Sequence, residues 1–282
     1  MVDNRYATAL VIAAVLSVLA SVYLSVSVGS PHWYRYTSPP VHAEHNATEL
    51  RALQEEFLDG EFDEKTASDA LFRMNGTLGL WWRCVQTHLD AHWYKEHGTH
   101  SIITIIKMIV THTQCVFMFT QLCLLCSDPQ MVLECVSFTP SQQFTPKYKE
   151  PGNHNSGEDM IRTYLWRCQF LLPLVSLGLV VLGGLIGFCA CVCSSLAPAL
   201  FIGLLQLLAG LCSLATVCCF LAGMDLLHRV SMLPDRVDAS LGWSLYLALI
   251  ASPLYMMSAA LLVWAARSHS QTYDRMAVYR VA

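Results

Sequence analysis

The sequence of 282 residues is poor in charge: only 13% of its side chains are Asp, Glu, Lys or Arg, whereas soluble domains carry about 25%. Its net charge of −4 gives no overall basic surface, so no nucleic acid partner is expected. It also has no phosphate-binding loop, dinucleotide fingerprint or Ser/His/Asp arrangement that can be read from the chain. These absences predict a chain that largely faces lipid and that is not an enzyme.

Hydrophobic residues make up 54% of the chain and are concentrated in four uncharged blocks: 7–28, 171–193, 199–223 and 241–266. A helix needs about 20 apolar residues to cross the hydrocarbon core, and a helix satisfies its own backbone hydrogen bonds there. The first block is longer than the apolar part of a signal peptide, which favours an uncleaved first span. No block holds an ionisable residue of the kind that transporters and pumps use.

Small residues within the blocks predict close helix packing. Gly183 and Gly187 lie four residues apart, and Pro173 and Pro253 are tolerable inside a packed bundle. Further glycines occur nearby at Gly178, Gly184, Gly203 and Gly210. The four blocks therefore look like a scaffold for the loop between the first and second of them.

Basic residues flank the outer ends of the blocks, with Arg5 before the first and Arg267, Arg275 and Arg280 after the fourth. By the positive-inside rule both termini are cytosolic. The segments then alternate: 1–6, 194–198 and 267–282 inside, 29–170 and 224–240 outside. Glycosylation sequons at Asn46 and Asn75 agree with an extracellular first loop.

The first loop changes character along its length. From Glu44 to Asp69 it holds nine acidic residues, which indicates a solvated helical or disordered face. Residues 71–85 and 136–139 are rich in apolar, β-branched and aromatic side chains that suit short strands. Residues 159–167 are expected to lead helically into the second span.

Cysteine is common, with 12 in the chain. An oxidising exterior favours disulfides in the first loop, but its six cysteines leave the connectivity open. They are Cys84, Cys115, Cys123, Cys126, Cys135 and Cys168. Cys191 and Cys193 at the cytosolic edge fit either palmitoylation or simple packing.

Histidine is clustered in the first loop without the partners that a metal site needs. The cluster comprises His88, His92, His97, His100 and His112. No Cys-x-x-Cys pair or helix-spaced acidic residue accompanies it, so no metal ion or other cofactor is expected.

A family resemblance rests on Trp33 after the first span, on residues 79–84 with the pattern Gly-Leu-Trp-x-x-Cys, and on a later cysteine before the second span. This set resembles the signature of the claudins, and four spans with both ends inside is the arrangement of the claudin and peripheral myelin protein superfamily. Residues 69–77, 151–157, 163–173 and 277–282 are most similar to the claudin domain-containing proteins.

The resemblance implies an all-α membrane four-helix bundle of claudin type that carries a small antiparallel extracellular β-sheet. Its signature maps onto Trp33, Gly79, Leu80, Trp81, Cys84 and Cys135, with the aromatic residues anchoring the sheet and a disulfide joining Cys84 to Cys135. It implies a plasma-membrane protein, at the apical surface or at cell contacts, that acts in cell–cell adhesion or modulates paracellular permeability.

The partners that follow are membrane lipid and claudin-like proteins, in homo- or hetero-oligomers within one membrane or between two cells. The alternative is a peripheral-myelin-type protein that binds or traffics other membrane proteins. If the chain lines a paracellular path, the acidic stretch is expected to disfavour anions.

Three features depart from ordinary claudins: the acidic stretch, the wide separation of Cys84 and Cys135, and the terminal Ala282. Claudin tails that bind PDZ domains end in a larger apolar side chain. Binding to a PDZ scaffold is therefore not expected.

Residues 102–126 form a fifth apolar stretch, but a span there would separate Cys84 from Cys135 across the membrane and would bury Lys107 and His112 in lipid. The resemblance lapses over residues 95–133. A retained intron or misassigned exon is the favoured interpretation of this insert; a genuine insertion or an interfacial helix is the alternative.

Overall fold

The computed structural model describes residues 4–37, 52–55, 57, 70–88, 131–137, 157–192, 199–230 and 237–281. Four long helices dominate this part of the chain: α1 (Asn4–Gly29), α2 (Gly157–Val192), α3 (Ala199–Val230) and α4 (Trp243–Val281). Each contains a segment long and apolar enough to cross a membrane: Tyr6–Gly29, Met160–Ala190, Ala199–Arg229 and Trp243–Ser268. With the small antiparallel sheet described below, the predicted fold class is confirmed.

The helices pack in the order α1, α4, α3, α2, and α1 touches α2 only slightly. The predicted close approach is present at some of the glycines: a Cβ on Gly187 would lie 3.5 Å from Ile202, and one on Gly203 would lie 3.4 Å from the carbonyl oxygen of Ala259. It is absent at Gly178 and Gly184, where a Cβ would meet nothing within 4 Å. Helices α2 and α4 continue through Pro173 and Pro253.

Hydroxyl groups also link the helices. Ser176 Oγ donates to the Ala209 carbonyl oxygen at 2.8 Å, which joins α2 to α3. Ser258 Oγ donates to the Ala13 carbonyl oxygen at 2.8 Å, which joins α4 to α1. Gln206 Nε2 reaches Ser17 Oγ across the bundle at 2.8 Å. In an apolar medium each such bond typically contributes about 0.6–2 kcal/mol to helix association.

One end of the bundle carries a five-stranded sheet in the order β4-β3-β2-β1-β5, in which every neighbouring pair is antiparallel. Its strands are β1 (Tyr34–Thr37), β2 (Gly76–Leu78), β3 (Trp82–His88), β4 (Met131–Ser137) and β5 (Asp238–Leu241). The strands come from four separate parts of the chain, and β5 belongs to the connection between α3 and α4. The second loop thus contributes an edge strand to the sheet built by the first.

The strand expectations were partly right. In the region of residues 71–85, a helical turn covers 70–73, one strand occupies 76–78 and the next starts at 82. Strand β4 ends at Ser137, and its first residues, 131–133, belong to the stretch over which the family resemblance lapses. The helical lead-in to the second span is present, because α2 begins at Gly157.

Several expectations concern residues outside the described part of the chain. They are the sequon at Asn46, the apolar stretch 102–126, the terminal Ala282, and the side chains of the five clustered histidines and of Cys191 and Cys193.

Candidate functional site

Trp33 is the centre of the junction between sheet and bundle. Its side chain is fully buried, its Nε1 donates to the Ser27 carbonyl oxygen at 2.8 Å, and its ring centroid lies 5.0 Å from that of Phe220 in α3. Its backbone nitrogen donates to the Leu78 carbonyl oxygen at 3.0 Å, and its own carbonyl oxygen accepts from the Gly242 nitrogen at 2.8 Å. One residue therefore connects α1, α3 and both neighbours of β1.

The end of α1 and the start of α4 are joined by short polar contacts, which we call the α1–α4 junction (residues 27–33 and 242–244). Ser27 Oγ donates to the Ser244 carbonyl oxygen at 2.6 Å, and Ser244 Oγ donates to Ser30 Oγ at 2.8 Å. The backbone nitrogen of Ser244 donates to the His32 carbonyl oxygen at 3.1 Å. Gly242 is required here because a Cβ would overlap the His32 carbonyl group.

The segment from Gly79 to Trp81 docks the next part of the sheet. The Gly79 nitrogen donates to the Trp82 carbonyl oxygen at 2.8 Å, and a Cβ on Gly79 would lie 2.7 Å from Pro31 Cα. Leu80 is buried, and the ring of Trp81 meets that of Phe170 of α2 edge to face at 4.3 Å. The glycine allows the close approach, and the two apolar side chains fill the space between sheet and bundle.

A disulfide joins Cys84 of β3 to Cys135 of β4, with 4.0 Å between the Cα atoms. The two residues are directly opposite in the β3–β4 register. Cys84 is completely buried and Cys135 is exposed, so the bond runs from the interior of the sheet to its surface. The pairing implied by the family resemblance is thus present in the structure.

Asn75 lies in the turn before β2 with a positive φ of 51°, a conformation that asparagine tolerates better than most residues. Its carbonyl oxygen accepts from the Gln86 nitrogen at 2.9 Å, and its side chain is partly exposed. Thr77 of the same sequon is buried in β2.

Arg83 is a buried residue that sequence reasoning passed over. Its side chain is fully buried in β3, and its guanidinium carbon lies 5.0 Å from the centre of the Trp166 ring in α2. Residues 83–85 are all buried, so β3 shows no alternation that would have marked the position. Nothing in the sequence indicated that Arg83 is buried, because charged side chains are seldom fully buried.

Tyr36 is a second missed residue. It is buried, it shares a hydrogen bond of 3.0 Å with His228 Nε2 of α3, and its ring meets that of Phe72 edge to face. The alternation of Tyr34 and Tyr36 directly after Trp33 was a signal that could have indicated a strand.

The described part of the acidic stretch, residues 52–55 and 57, contacts the sheet. Residues 52–55 are helical, and Gln54 Nε2 donates to Glu134 Oε2 of β4 at 2.8 Å. Phe57 is only 8% exposed and packs in the main core, with Leu53 beside it. Within the described part of the stretch, Glu55 is exposed on a helical segment, in agreement with the prediction of a solvated helical face, while the apolar residues beside it fix the segment against the sheet.

Burial is the main cause of the pKa shifts at the junction. Burial, and next the positive charge of Arg35, lower the pKa of His32, while burial raises the pKa of Tyr34. His32 also stacks on Trp243 at 5.7 Å. Among the described residues no three His, Cys, Asp or Glu side chains converge in a way that could hold a metal ion. The contacts of the site position a sheet on a membrane bundle.

One comparison bears on identity. The family model described as PMP-22/EMP/MP20/Claudin tight junction matches residues 18–264, which covers most of the chain and includes all four helices and all five strands in whole or in part. The buried Trp33, the Gly79–Trp81 docking segment and the Cys84–Cys135 bond all lie within the matched range. The chain therefore belongs to the PMP-22/EMP/MP20/Claudin family of membrane proteins.

Proposed function

We propose that this chain is a multi-pass plasma-membrane protein whose sheet faces the extracellular space and takes part in cell–cell adhesion or in setting paracellular permeability. The observation that carries the proposal is a sheet that a buried tryptophan fixes to one end of a membrane bundle and that a disulfide links internally, between β3 and β4. Disulfides persist in oxidising surroundings, so the disulfide favours an extracellular sheet.

The opposite end of the bundle supports the same orientation. Tyr6 and Ala9 of α1 pack with Ala265 of α4 in a separate small cluster, so the first and last described residues lie at the same end of the bundle. Arg5 and Arg267 belong to this end. Basic residues beside spans favour the cytosol.

A lateral contact surface is offered by the first turns of α2. Helix α2 has 36 residues, about 54 Å at 1.5 Å per residue, which exceeds a hydrocarbon core of about 30 Å. Met160, Ile161 and Tyr164 are exposed on these turns. The turns precede the uncharged block 171–193 and carry Arg162 and Arg167, charged side chains that are costly within hydrocarbon. Exposed apolar side chains beyond the lipid favour contact with another copy or a related protein.

Cross-linking of differently tagged copies in one cell tests this surface. Ile161→Ser should lower the cross-linked fraction severalfold, whereas Leu185→Ser should not. Leu185 is a matched control because it is 59% exposed, against 56% for Ile161, but lies within the apolar block. Equal cross-linking in both variants would remove the lateral surface from the proposal.

Charge selectivity is the finer part of the proposal. Because Gln54 and Phe57 attach the described part of the acidic stretch to the sheet, the exposed Glu55 lies close to the sheet. The field of a carboxylate extends about one Debye length, ~8 Å at physiological salt, and would favour cations over anions in a narrow path.

Dilution potentials across epithelial monolayers measure this preference. Replacing the acidic residues between Glu55 and Glu64 by lysine should lower the ratio of sodium to chloride permeability. Asp238→Lys serves as the control because Asp238 is exposed on β5, at the opposite edge of the sheet. If charge reversal of the whole stretch left the permeability ratio unchanged, the proposed selectivity would be wrong. If only Asp238→Lys changed the ratio, the selectivity would depend on the β5 edge instead.

Mixed cultures test adhesion directly. Cells that express two differently coloured versions are grown with each other and with non-expressing cells. Enrichment only at contacts between two expressing cells supports adhesion. An even distribution, with other membrane proteins co-purifying, would instead support the peripheral-myelin-type role.

Glycosylation reports the orientation independently. We propose that Asn46 and Asn75 carry glycans, so glycosidase treatment should lower the apparent mass in two steps. Replacing each Asn by Gln should remove one step. A mass that glycosidase leaves unchanged would contradict an extracellular first loop.

A further inference from the structure

The sequon that begins at Asn75 is built into the sheet. Asn-x-Ser/Thr is the acceptor pattern of N-glycosylation, so the transferase must recognise the hydroxyl of the third residue as well as the amide of the first. Asn75 lies in a turn and is partly exposed, whereas Thr77 is only 4% exposed. The folded chain therefore presents the amide and conceals the hydroxyl.

Strand pairing encloses Thr77 on both sides. In the register of the sheet, Thr77 lies opposite Arg35 of β1 and opposite Cys84 of β3. The turn before it is closed as well, because the Gln86 nitrogen donates to the Asn75 carbonyl oxygen at 2.9 Å. A transferase could reach the Thr77 hydroxyl only if β2 separated from its neighbours.

The buried hydroxyl of Thr77 is not used by the described part of the fold. Its Oγ1 has no hydrogen-bond partner among the residues that the structure describes. Burying a hydroxyl without a partner costs free energy, and an apolar side chain of the same shape, such as valine, avoids that cost. Recognition of the sequon gives a reason for threonine at this position.

Formation of the disulfide completes the closure around the sequon. Cys84, which lies opposite Thr77, is bonded to Cys135, 51 residues further along the chain. Strands β2 and β3 are separated only by residues 79–81 and can pair early, but an isolated two-stranded hairpin is marginally stable at best. The hairpin is held once β4 joins it, so the sequon is accessible before the disulfide forms and concealed afterwards.

We propose that Asn75 is glycosylated only before this closure, and that formation of the Cys84–Cys135 disulfide ends the modification. The proposal rests on the extracellular orientation proposed above. In the transfer, Asn75 Nδ2 attacks the anomeric carbon of a lipid-linked oligosaccharide diphosphate. The nitrogen–carbon bond forms, the carbon–oxygen bond to the phosphate breaks, the lipid diphosphate leaves, and the amide proton passes to solvent. Because Asn75 is partly exposed, the glycan can remain on the folded chain.

Unglycosylated full-length protein provides the direct test. It is made in cells in which synthesis of the oligosaccharide donor is inhibited, and Asn46→Gln leaves Asn75 as the acceptor. The purified protein is then incubated in detergent with purified transferase and lipid-linked donor. Gly76→Ala keeps the sequon, but its Cβ would overlap the Leu71 side chain and lie 2.9 Å from the Cys84 carbonyl oxygen, so β2 cannot stay in place. We expect transfer to be at least ~10 times faster to this variant than to its parent, because a packed strand opens only rarely.

Two controls isolate the effect of folding. Gly178→Ala, which has open space around its Cβ, should accept the oligosaccharide as slowly as the parent. Each rate is divided by that of a synthetic peptide of residues 72–80 with Gly or Ala at position 76, which removes any difference between the sequons themselves. Equal corrected rates for the parent and Gly76→Ala would overturn the proposal.

Cells test the part played by the disulfide. When the oligosaccharide donor is limiting, Cys135→Ser should raise the glycosylated fraction of Asn75. Cys168→Ser is the control because it removes a thiol outside the disulfide, and it should leave that fraction unchanged. The same fraction in Cys135→Ser and the parent would show that the disulfide does not end the modification.

The same cells separate this proposal from the orientation on which it rests. If neither Asn46 nor Asn75 gains a glycan, even in Gly76→Ala, the extracellular orientation is wrong and the proposal falls with it. If Asn75 carries a glycan in cells but the purified folded chain accepts as fast as Gly76→Ala, the orientation stands and the order of glycosylation and folding is wrong.

Discussion

The two edges of the sheet are held in opposite ways. Strand β5 continues through Gly242 into α4, and its edge is fixed by backbone and serine hydrogen bonds of the α1–α4 junction. Strand β4 has no helix directly attached among the described residues and is fixed by a disulfide with one exposed cysteine. One edge is secured by the bundle and the other by a covalent bond.

Chain connection explains the difference. β1 and β5 are distant in sequence, but α1 and α4 bring them together, so pairing them adds little entropy loss. β3 and β4 are joined only by residues 89–130, and closing a loop of that length is costly. A disulfide removes much of this cost from the unfolded state. The covalent link occurs where the helices cannot supply proximity.

The largest expected effect concerns the residue on which the β1–β5 side depends. Trp33→Ala should lower the free energy of unfolding by about 3–5 kcal/mol, because it empties a buried site and removes the bond to Ser27. Denaturant unfolding in detergent measures the loss. Trp264→Ala, at a position 52% exposed on α4, is the control and should cost far less. If both variants lost a similar free energy of unfolding, Trp33 would not be the residue on which this side of the sheet depends.

Removing the disulfide tests the other edge. The double replacement Cys84→Ser and Cys135→Ser should cost about 2–4 kcal/mol. Hydrogen exchange should show lost protection at residues 131–137 and retained protection at 238–241. Equal loss of protection at both edges would contradict the view that the disulfide holds only the β4 edge. Of the single variants, Cys84→Ser should be the more damaging, because only Cys84 is fully buried.

Gly242→Ala should give the reverse pattern. Its Cβ meets the His32 carbonyl group, so the start of α4 must move away from α1. Overpacking of this kind typically costs about 1–3 kcal/mol. We expect residues 238–241 to lose protection while 131–137 keep theirs. Gly178→Ala has open space around its Cβ and should leave both edges unchanged.

The smallest effect is a pH dependence of the β5 edge. Burial and Arg35 hold the pKa of His32 below the ordinary value near 6.5, which the unfolded chain retains. The unfolded state then binds the proton more readily, so stability is present above pH ~6.5 and is lost as pH falls through the lower folded pKa. Melting temperatures at pH 7.5 and 5.5 should differ more for the wild type than for His32→Gln. Identical differences would exclude His32 as the cause.

The bundle was readily predictable because each span is an uncharged apolar run. The signature residues near Trp33 and Cys84 were also recognisable. Strand β5 was not, because Asp238 to Leu241 has little intrinsic strand preference and becomes a strand through pairing with β1. Burial of Arg83 depends likewise on Trp166, about 80 residues further along the chain, whose contact no local pattern records.

The α1–α4 junction can form only late in the synthesis of the chain. Ser27 and Ser244, which close it, are 217 residues apart. At about 5–20 residues per second, the ribosome reaches the second serine roughly 10–40 s after the first. During that interval the edge of β1 that will later pair with β5 has no partner, although α1 is already made. A nascent chain is therefore exposed to wrong strand pairing for most of its synthesis, and the last helix to emerge ends that period.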